Sequence, residues 1–267
     1  AIGSHRAVPF KYGAENTFQT NVAVCVNYNA DYDGDTMRLK VLRTLRAITE
    51  SKYISPIERW MLSSQKSICV NGQVQDSVVG SALMTRTGVV FDKLHAMRLY
   101  SKAGIFNVPN FNQKTYTGRN IISLLLEDTP ISYKGRAKYY NPAYKEFIPY
   151  KNEDINVIIQ NGVVKQGILD KNSIGDNSSG GVFHLIALEY GTKIALKKIF
   201  SYQQIVLKYL EMHGFTMSMD DLIISKTARA EIDRIVADQE LKSKVFAEEM
   251  SRGEVYPPMG LSLHEFY

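Results

Sequence analysis

Residues 29–37 read Asn-Ala-Asp-Tyr-Asp-Gly-Asp-Thr-Met, and no other stretch constrains the chain as tightly. Asp31, Asp33 and Asp35 stand at alternate positions, with Gly34 between the second and third. An extended or tightly looped backbone could aim all three side chains at one point. Ionised carboxylates that close repel and raise one another's pKa unless a positive charge sits among them. Carboxylate oxygens without nitrogen or sulfur partners suit a hard cation, magnesium or calcium, rather than zinc. Gly34 opens backbone angles that a side chain would forbid and lets a ligand approach closely. Taken alone, the string is equally compatible with a solvated acidic turn.

Three other readings can be tested on the letters. An EF-hand loop needs glycine at its sixth position and glutamate at its twelfth. Counted from Asp31 these are Thr36 and Leu42, so that reading fails. An aspartyl-nucleophile phosphatase or phosphomutase would end its motif on a hydroxyl, where Asp35 stands. A sugar-nucleotide transferase needs only a bare Asp-x-Asp, which neither supports nor excludes it.

The local pattern mounts the acidic run. Residues 17–28 alternate, with Phe18, Val22, Val24, Val26 and Tyr28 on one side, and predict a strand with one apolar face. Met37–Val41 alternates again, which would put the aspartates on a loop between two strands. Residues 42–53 predict a short amphipathic helix ended by Ile54-Ser55-Pro56. Gln75-Asp76 suits a helix N-terminus, where a carboxylate meets free amides. Thr117 or Asn120 can cap a helix over the apolar run that follows.

Residues 101–150 predict loops and short strands. The tyrosines at 133, 139, 140, 144 and 150, interleaved with lysines, suit half-buried β-structure better than a nucleic-acid surface. Asn161-Gly162 between two apolar runs predicts a hairpin over 155–169. Ser178 or Ser179 can cap a helix that runs to about Glu189 and stops at Gly191. No Walker lysine follows the glycines at 180–181, so a P-loop is excluded. Helices over 193–213 and about 226–252 end at Gly214 and Gly253.

Composition narrows the class. At 267 residues, 45% hydrophobic and 22% charged, the chain has material for one large or two small domains. A net charge of +5 permits a polyanionic partner without demanding one, and the 32 basic residues form only small clusters such as Lys197-Lys198. Cys25 and Cys69 are too few for a structural zinc site and read as reduced and buried. No apolar run approaches the ~20 residues of a membrane span, and no secretory h-region follows the N-terminus.

The run from Asn29 to Met37 resembles the signature of the largest subunit of multisubunit DNA-directed RNA polymerases, whose usual form has Phe at the place of Tyr32. The resemblance extends in order along nearly the whole chain. His5-Arg6-Ala7-Val8 is similar to a Gly-His-Arg-Val run that precedes the family's Asp loop, which makes Gly3-Ser4-His5-Arg6 native sequence. Val74–Gly80, Thr117–Leu125, Gln203–Val206, Met212–Asp221 and Met259–Tyr267 match further segments. Gly167–Gly175 with Ser178–His184 resembles the pore passage of the eukaryotic-type form, with Asn172 where a second lysine is usual. Ser218 replaces a family glycine. The departures at 101–150 and after the Asp loop point to a divergent lineage, a viral one among the options.

That resemblance implies a mixed α/β fold: part of a double-psi β-barrel active-site domain over residues 1–53, an α/β pore over 54–221, and the start of a helical funnel over 222–267. It implies that Asp31, Asp33 and Asp35 are catalytic and hold magnesium, with a second Mg2+ arriving with the nucleoside triphosphate. Asn29 would bind substrate near ribose, and Lys171 would steer it by charge. The expected partners are the second-largest subunit, the rest of the largest subunit, DNA template, RNA product and NTPs, with no membrane. The expected location is intracellular: nuclear, or cytoplasmic and virion-borne if viral. A stand-alone metal-dependent phosphotransfer enzyme and a non-catalytic polymerase-derived interaction module remain as alternatives.

Overall fold

The computed structural model describes residues 4–9, 17–106, 113–137 and 152–253. The tyrosines at 139, 140, 144 and 150 and the segment 259–267 lie outside the described residues. The chain divides into two compact units, residues 1–214 and 215–267.

The first unit opens with a correction. Residues 17–28 form no strand; a 3-10 turn, Val22–Val24, runs into a short helix α1, Cys25–Tyr28. Asn21 starts the turn, its side chain accepting a hydrogen bond from the Ala23 amide at 2.9 Å. The buried residues are Ala23 and Cys25, the small members of the supposedly polar set, while Phe18 is exposed. A strand needs a neighbour to satisfy its backbone, and among the described residues no strand pairs with 17–43. Met37–Val41 is likewise without regular structure, and Leu39 and Val41 are exposed.

Helix α2, Leu45–Tyr53, ends where the periodicity placed it but starts three residues later than expected, because Thr44 caps it. None of its residues is buried. A one-turn helix α3, Ile57–Trp60, follows Pro56, and then α4, Asp76–Met84, with Asp76 in its first turn. Strand β1, Val90–Asp92, leads into α5, Lys93–Lys102, whose Asp92 cap binds the His95 amide. Strand β2, Thr115–Thr117, pairs antiparallel with β1, Phe91 opposite Tyr116. Helix α6, Gly118–Leu126, begins with a reciprocal cap between Thr117 and Asn120, so both expected capping residues act at once.

The second sheet has the order β3-β4-β5: Tyr133–Arg136, Asn156–Gln160 and Val163–Gln166. A short helix α7, Asn152–Ile155, precedes β4. Asn161 and Gly162 turn the hairpin with φ of 48° and 76°, the left-handed pair that a tight hairpin requires. Helix α8, Lys171–Ile174, is capped by Asp170. Helix α9, Val182–Tyr190, corrects the serine-cap expectation, because Gly181 is the N-cap and makes no side-chain bond. The buried His184 ring bends back instead and accepts the Gly180 amide at 2.8 Å.

Helix α10, Thr192–His213, is the spine of this unit. Ala195, Ile199, Tyr202, Ile205, Val206 and Tyr209 lie buried along it. A Cβ on Gly80 would come within 2.7 Å of Val206 and Leu210, so the glycine lets α4 cross α10 closely. The Tyr202 hydroxyl meets Ser81 at 2.6 Å, and Phe183 packs edge-on against the Tyr202 ring. Arg119 pairs with the buried Asp154 at 2.5 Å and also donates to the Thr85 carbonyl, tying α6 to the start of β4. Lys198, half of the small basic cluster, is buried against the Leu125 carbonyl and Asp128, so its charge serves the fold.

The second unit holds a 3-10 turn, Met219–Leu222, and helix α11, Lys226–Ser251, capped by Ser225. No residue of α11 is buried. Ion pairs one turn apart, among them Arg229 with Asp233 and Lys242 with Asp238, lace its surface as its mixed charge predicts.

Both cysteines are free and buried. Cys69 is sealed in the core, donates to the Asn71 carbonyl at 3.1 Å, and has its thiol pushed up to about 12 by burial. At pH 8 the thiolate is then roughly one part in ten thousand, from the distance between pH and pKa. Native Cys69 is therefore expected to resist iodoacetamide at pH 8 and to label on denaturation, as read by peptide mass spectrometry. Rapid labelling of the native chain would contradict this burial.

Candidate metal centre

The centre is built from α1 outward. Asn29 closes α1 in the left-handed conformation, φ 50°, and its amide and that of Ala30 return to the helix carbonyls. Asparagine tolerates this backbone better than most side chains. The chain thus leaves the helix at a fixed angle and turns at once into Asp31.

The loop is held by its own amides. The Asp31 amide donates to Asp35 Oδ2 at 3.1 Å, and the Asp33 amide donates to Asp31 Oδ1 at 3.2 Å. Gly34 has a φ of 115°, which favours glycine, and a Cβ there would meet nothing within 4 Å. Glycine is needed for the backbone angle and not for space. Tyr32 points away from the carboxylates: its hydroxyl donates to the Thr20 carbonyl at 3.3 Å and receives the Cys25 thiol at 3.4 Å.

Asp31, Asp33 and Asp35 bring one carboxylate oxygen each within 4.8 Å of one another, and all three are exposed. Among the described residues no ion pair involves any of them. Their hydrogen bond holds the Asp31 carboxyl below its ordinary value and raises that of Asp33, with the charge of Asp31 adding to the rise. Close like charges respond in this way when no counter-charge stands between them. The donor set fits magnesium: carboxylate oxygens only, converging, and open on one side for water or substrate oxygens.

A family model described as RNA polymerase Rpb1, domain 3, matches residues 60–222, and one described as RNA polymerase Rpb1, domain 2, matches residues 1–57. The chain belongs to the RNA polymerase Rpb1 family. It is 39% identical over 276 residues to proteins named DNA-directed RNA polymerase RPB1 homolog from African swine fever virus, covering 100% of this chain and 19% of theirs. It is 29% identical over 260 residues to the protein named DNA-directed RNA polymerase subunit Rpo1N of Methanothermobacter thermautotrophicus, covering 97% of this chain and 29% of that one. The chain therefore spans about a fifth of the viral relatives it matches and under a third of the archaeal one.

The remaining residues of this Rpb1-family segment fall in two places. Asn29 adjoins the triad and is exposed. Lys171 stands on α8, in a cavity of about 610 Å³ lined by Tyr133, Arg136, Asn172, Asp176 and Ser178. It pairs with Asp176 at 3.4 Å, so part of its charge is already matched. Sequence reasoning missed Asn27 and Asn71, whose side-chain amides pair, Asn71 buried and Asn27 half-buried. The expected strand placed Asn27 on a solvent face, and only the helical turn at α1 brings it to Asn71.

Replacing Gly34 by alanine adds backbone strain on the order of 1–3 kcal/mol. In the full-length protein, Gly34→Ala is expected to weaken Mn2+ binding at the triad about tenfold, read by electron paramagnetic resonance. Unchanged Mn2+ affinity would mean that the glycine does not shape the cluster.

Proposed function

We propose that this chain supplies the metal-holding loop of a multisubunit DNA-dependent RNA polymerase and acts in template-directed nucleotidyl transfer once assembled. The convergence of Asp31, Asp33 and Asp35 carries the reading. It is supported by the match of both Rpb1 models and by polymerase names among the relatives.

Asp31, Asp33 and Asp35 would hold the resident magnesium. Bound there, with a second ion arriving on the triphosphate, magnesium would supply Lewis-acid activation of an RNA 3′-hydroxyl and charge stabilisation for the departing pyrophosphate. The chain's own part is positioning. Hydrogen bonds from the Asp31 and Asp33 amides hold the Asp35 and Asp31 carboxylates before substrate enters, which limits reorganisation during the reaction. Asn29, fixed at the end of α1, offers an amide side chain for ribose. Lys171, exposed despite its Asp176 partner, adds positive potential for an incoming triphosphate.

The segment 1–53 belongs, in this reading, to one part of a double-psi barrel that is completed on assembly. Exposed Leu39, Val41 and Leu45, and the absence of strand pairing at residues 35–43 among the described residues, support a neighbour there. Residues 54–221 form the pore and 222–267 begin the funnel. The partners are the rest of the largest subunit, the second-largest subunit, template DNA, RNA and NTPs. The setting is intracellular, cytoplasmic or in the virion if the lineage is viral and nuclear otherwise. Among the described residues no helix is long and apolar enough to cross a membrane.

In the assembled polymerase, Asp33→Ala is expected to abolish nucleotide incorporation by at least a thousandfold while subunit stoichiometry stays that of the wild type. Incorporation at a wild-type rate by that variant would remove the metal assignment.

A further inference from the structure

The aspartate loop is exposed and, among the described residues, lacks strand partners, yet the 3-10 turn and α1 that lead into it are tied down at two points. Ahead of the turn, Asn21 Nδ2 donates to Gln203 Oε1 of α10 at 2.8 Å. At the end, Asn27 and Asn71 exchange hydrogen bonds: Asn71 Nδ2 donates to Asn27 Oδ1 at 2.5 Å, and Asn27 Nδ2 donates to Asn71 Oδ1 at 3.3 Å. Asn71 is fully buried, and its Nδ2 also donates to the Ala23 carbonyl at 3.0 Å.

Asn71 is itself fixed from both sides. Its carbonyl receives the Cys69 thiol. Two residues on, buried Gln73 donates to the Ile199 carbonyl of α10 at 2.8 Å. Next to it, Gly72 packs so closely on Gly175 that a Cβ would lie 2.3 Å from the Gly175 backbone. The side-chain amides of Asn27 and Asn71 satisfy each other, and turning either one away would leave Asn71 with unpaired polar atoms inside the core. Asn27 stands two residues before the left-handed Asn29 and four before Asp31, so no flexible segment separates the clamp from the first carboxylate.

We propose that Asn71, acting through Asn27, is a positioning residue for the acidic triad. It transmits the rigidity of the α10 core to an otherwise exposed loop and sets the spacing of Asp31, Asp33 and Asp35 for magnesium. The inference rests on the metal reading of the triad. It assigns to an amide pair outside the loop a share of the cation affinity.

The test is Mn2+ binding at the triad, read by electron paramagnetic resonance and expected to weaken about three- to tenfold, beside a magnesium titration of nucleotide incorporation, both on the assembled polymerase carrying Asn71→Ala. Asn27→Ala is the second variant, because it removes the same pair from the partly exposed side and leaves the Asn71 bond to Ala23 in place. Each breaks both bonds of the exchanged pair and is expected to raise half-saturating Mg2+ about three- to tenfold, on the order of the net worth of a hydrogen bond, while the NTP KM at saturating Mg2+ stays unchanged. Ser123→Ala removes a hydrogen bond to the Val164 amide in the pore and should leave the magnesium curve in place, which separates positioning from general loosening. A wild-type magnesium curve for Asn27→Ala, or an equal rise in NTP KM, would overturn the positioning role. If Asp33→Ala is inactive in the same assay, the metal reading survives that failure; if it is active, the metal reading fails first.

Discussion

Three carboxylates whose oxygens converge within 4.8 Å repel one another, and the segment around them is shaped to hold them in spite of that repulsion. The loop answers with its own backbone. Amides of Asp31 and Asp33 donate into the cluster, and Gly34 takes an angle that closes the turn. Behind the loop, α1 ends in a left-handed asparagine and is tied through Asn21 and the Asn27–Asn71 pair to the core around α10. The long helix and the exposed loop thus belong to one mechanical unit.

Signals complete within a few residues were legible in the sequence. The Thr117–Asn120 cap, the Asn161-Gly162 turn, and the stops at Gly191, Gly214 and Gly253 each depend on local backbone chemistry, and each stands where it was expected. Residues 17–28 were misread because alternation reports which faces differ and not whether a neighbouring strand exists. With Asn21 ready to cap and no ladder partner among the described residues, that segment coils and buries Ala23 and Cys25 in place of its valines. The α9 cap was missed for a related reason, since the group that closes the helix is a histidine ring from inside it.

The site divided along the same line. The triad was visible because its three members lie within five residues, and the structure brings them together. The Asn27–Asn71 pair joins residues 44 apart, a distance over which no spacing rule operates. Lys171 was chosen by resemblance, and its Asp176 partner came to light only once α8 and the following turn were folded.

Apolar side chains are exposed between Leu39 and Ile54, and the chain spans about a fifth of the viral relatives it matches. The central claim is that the aspartate loop holds the metal at the growing RNA end. Fe2+ substituted for Mg2+ in a stalled elongation complex reduces added hydrogen peroxide to hydroxide and hydroxyl radical at the bound ion, itself passing to Fe3+. Cleavage of this chain centred on residues 29–37, together with scission at the RNA 3′ end, is the predicted result. Cleavage of RNA near its 3′ end with this loop left intact would place the metal elsewhere and contradict the account.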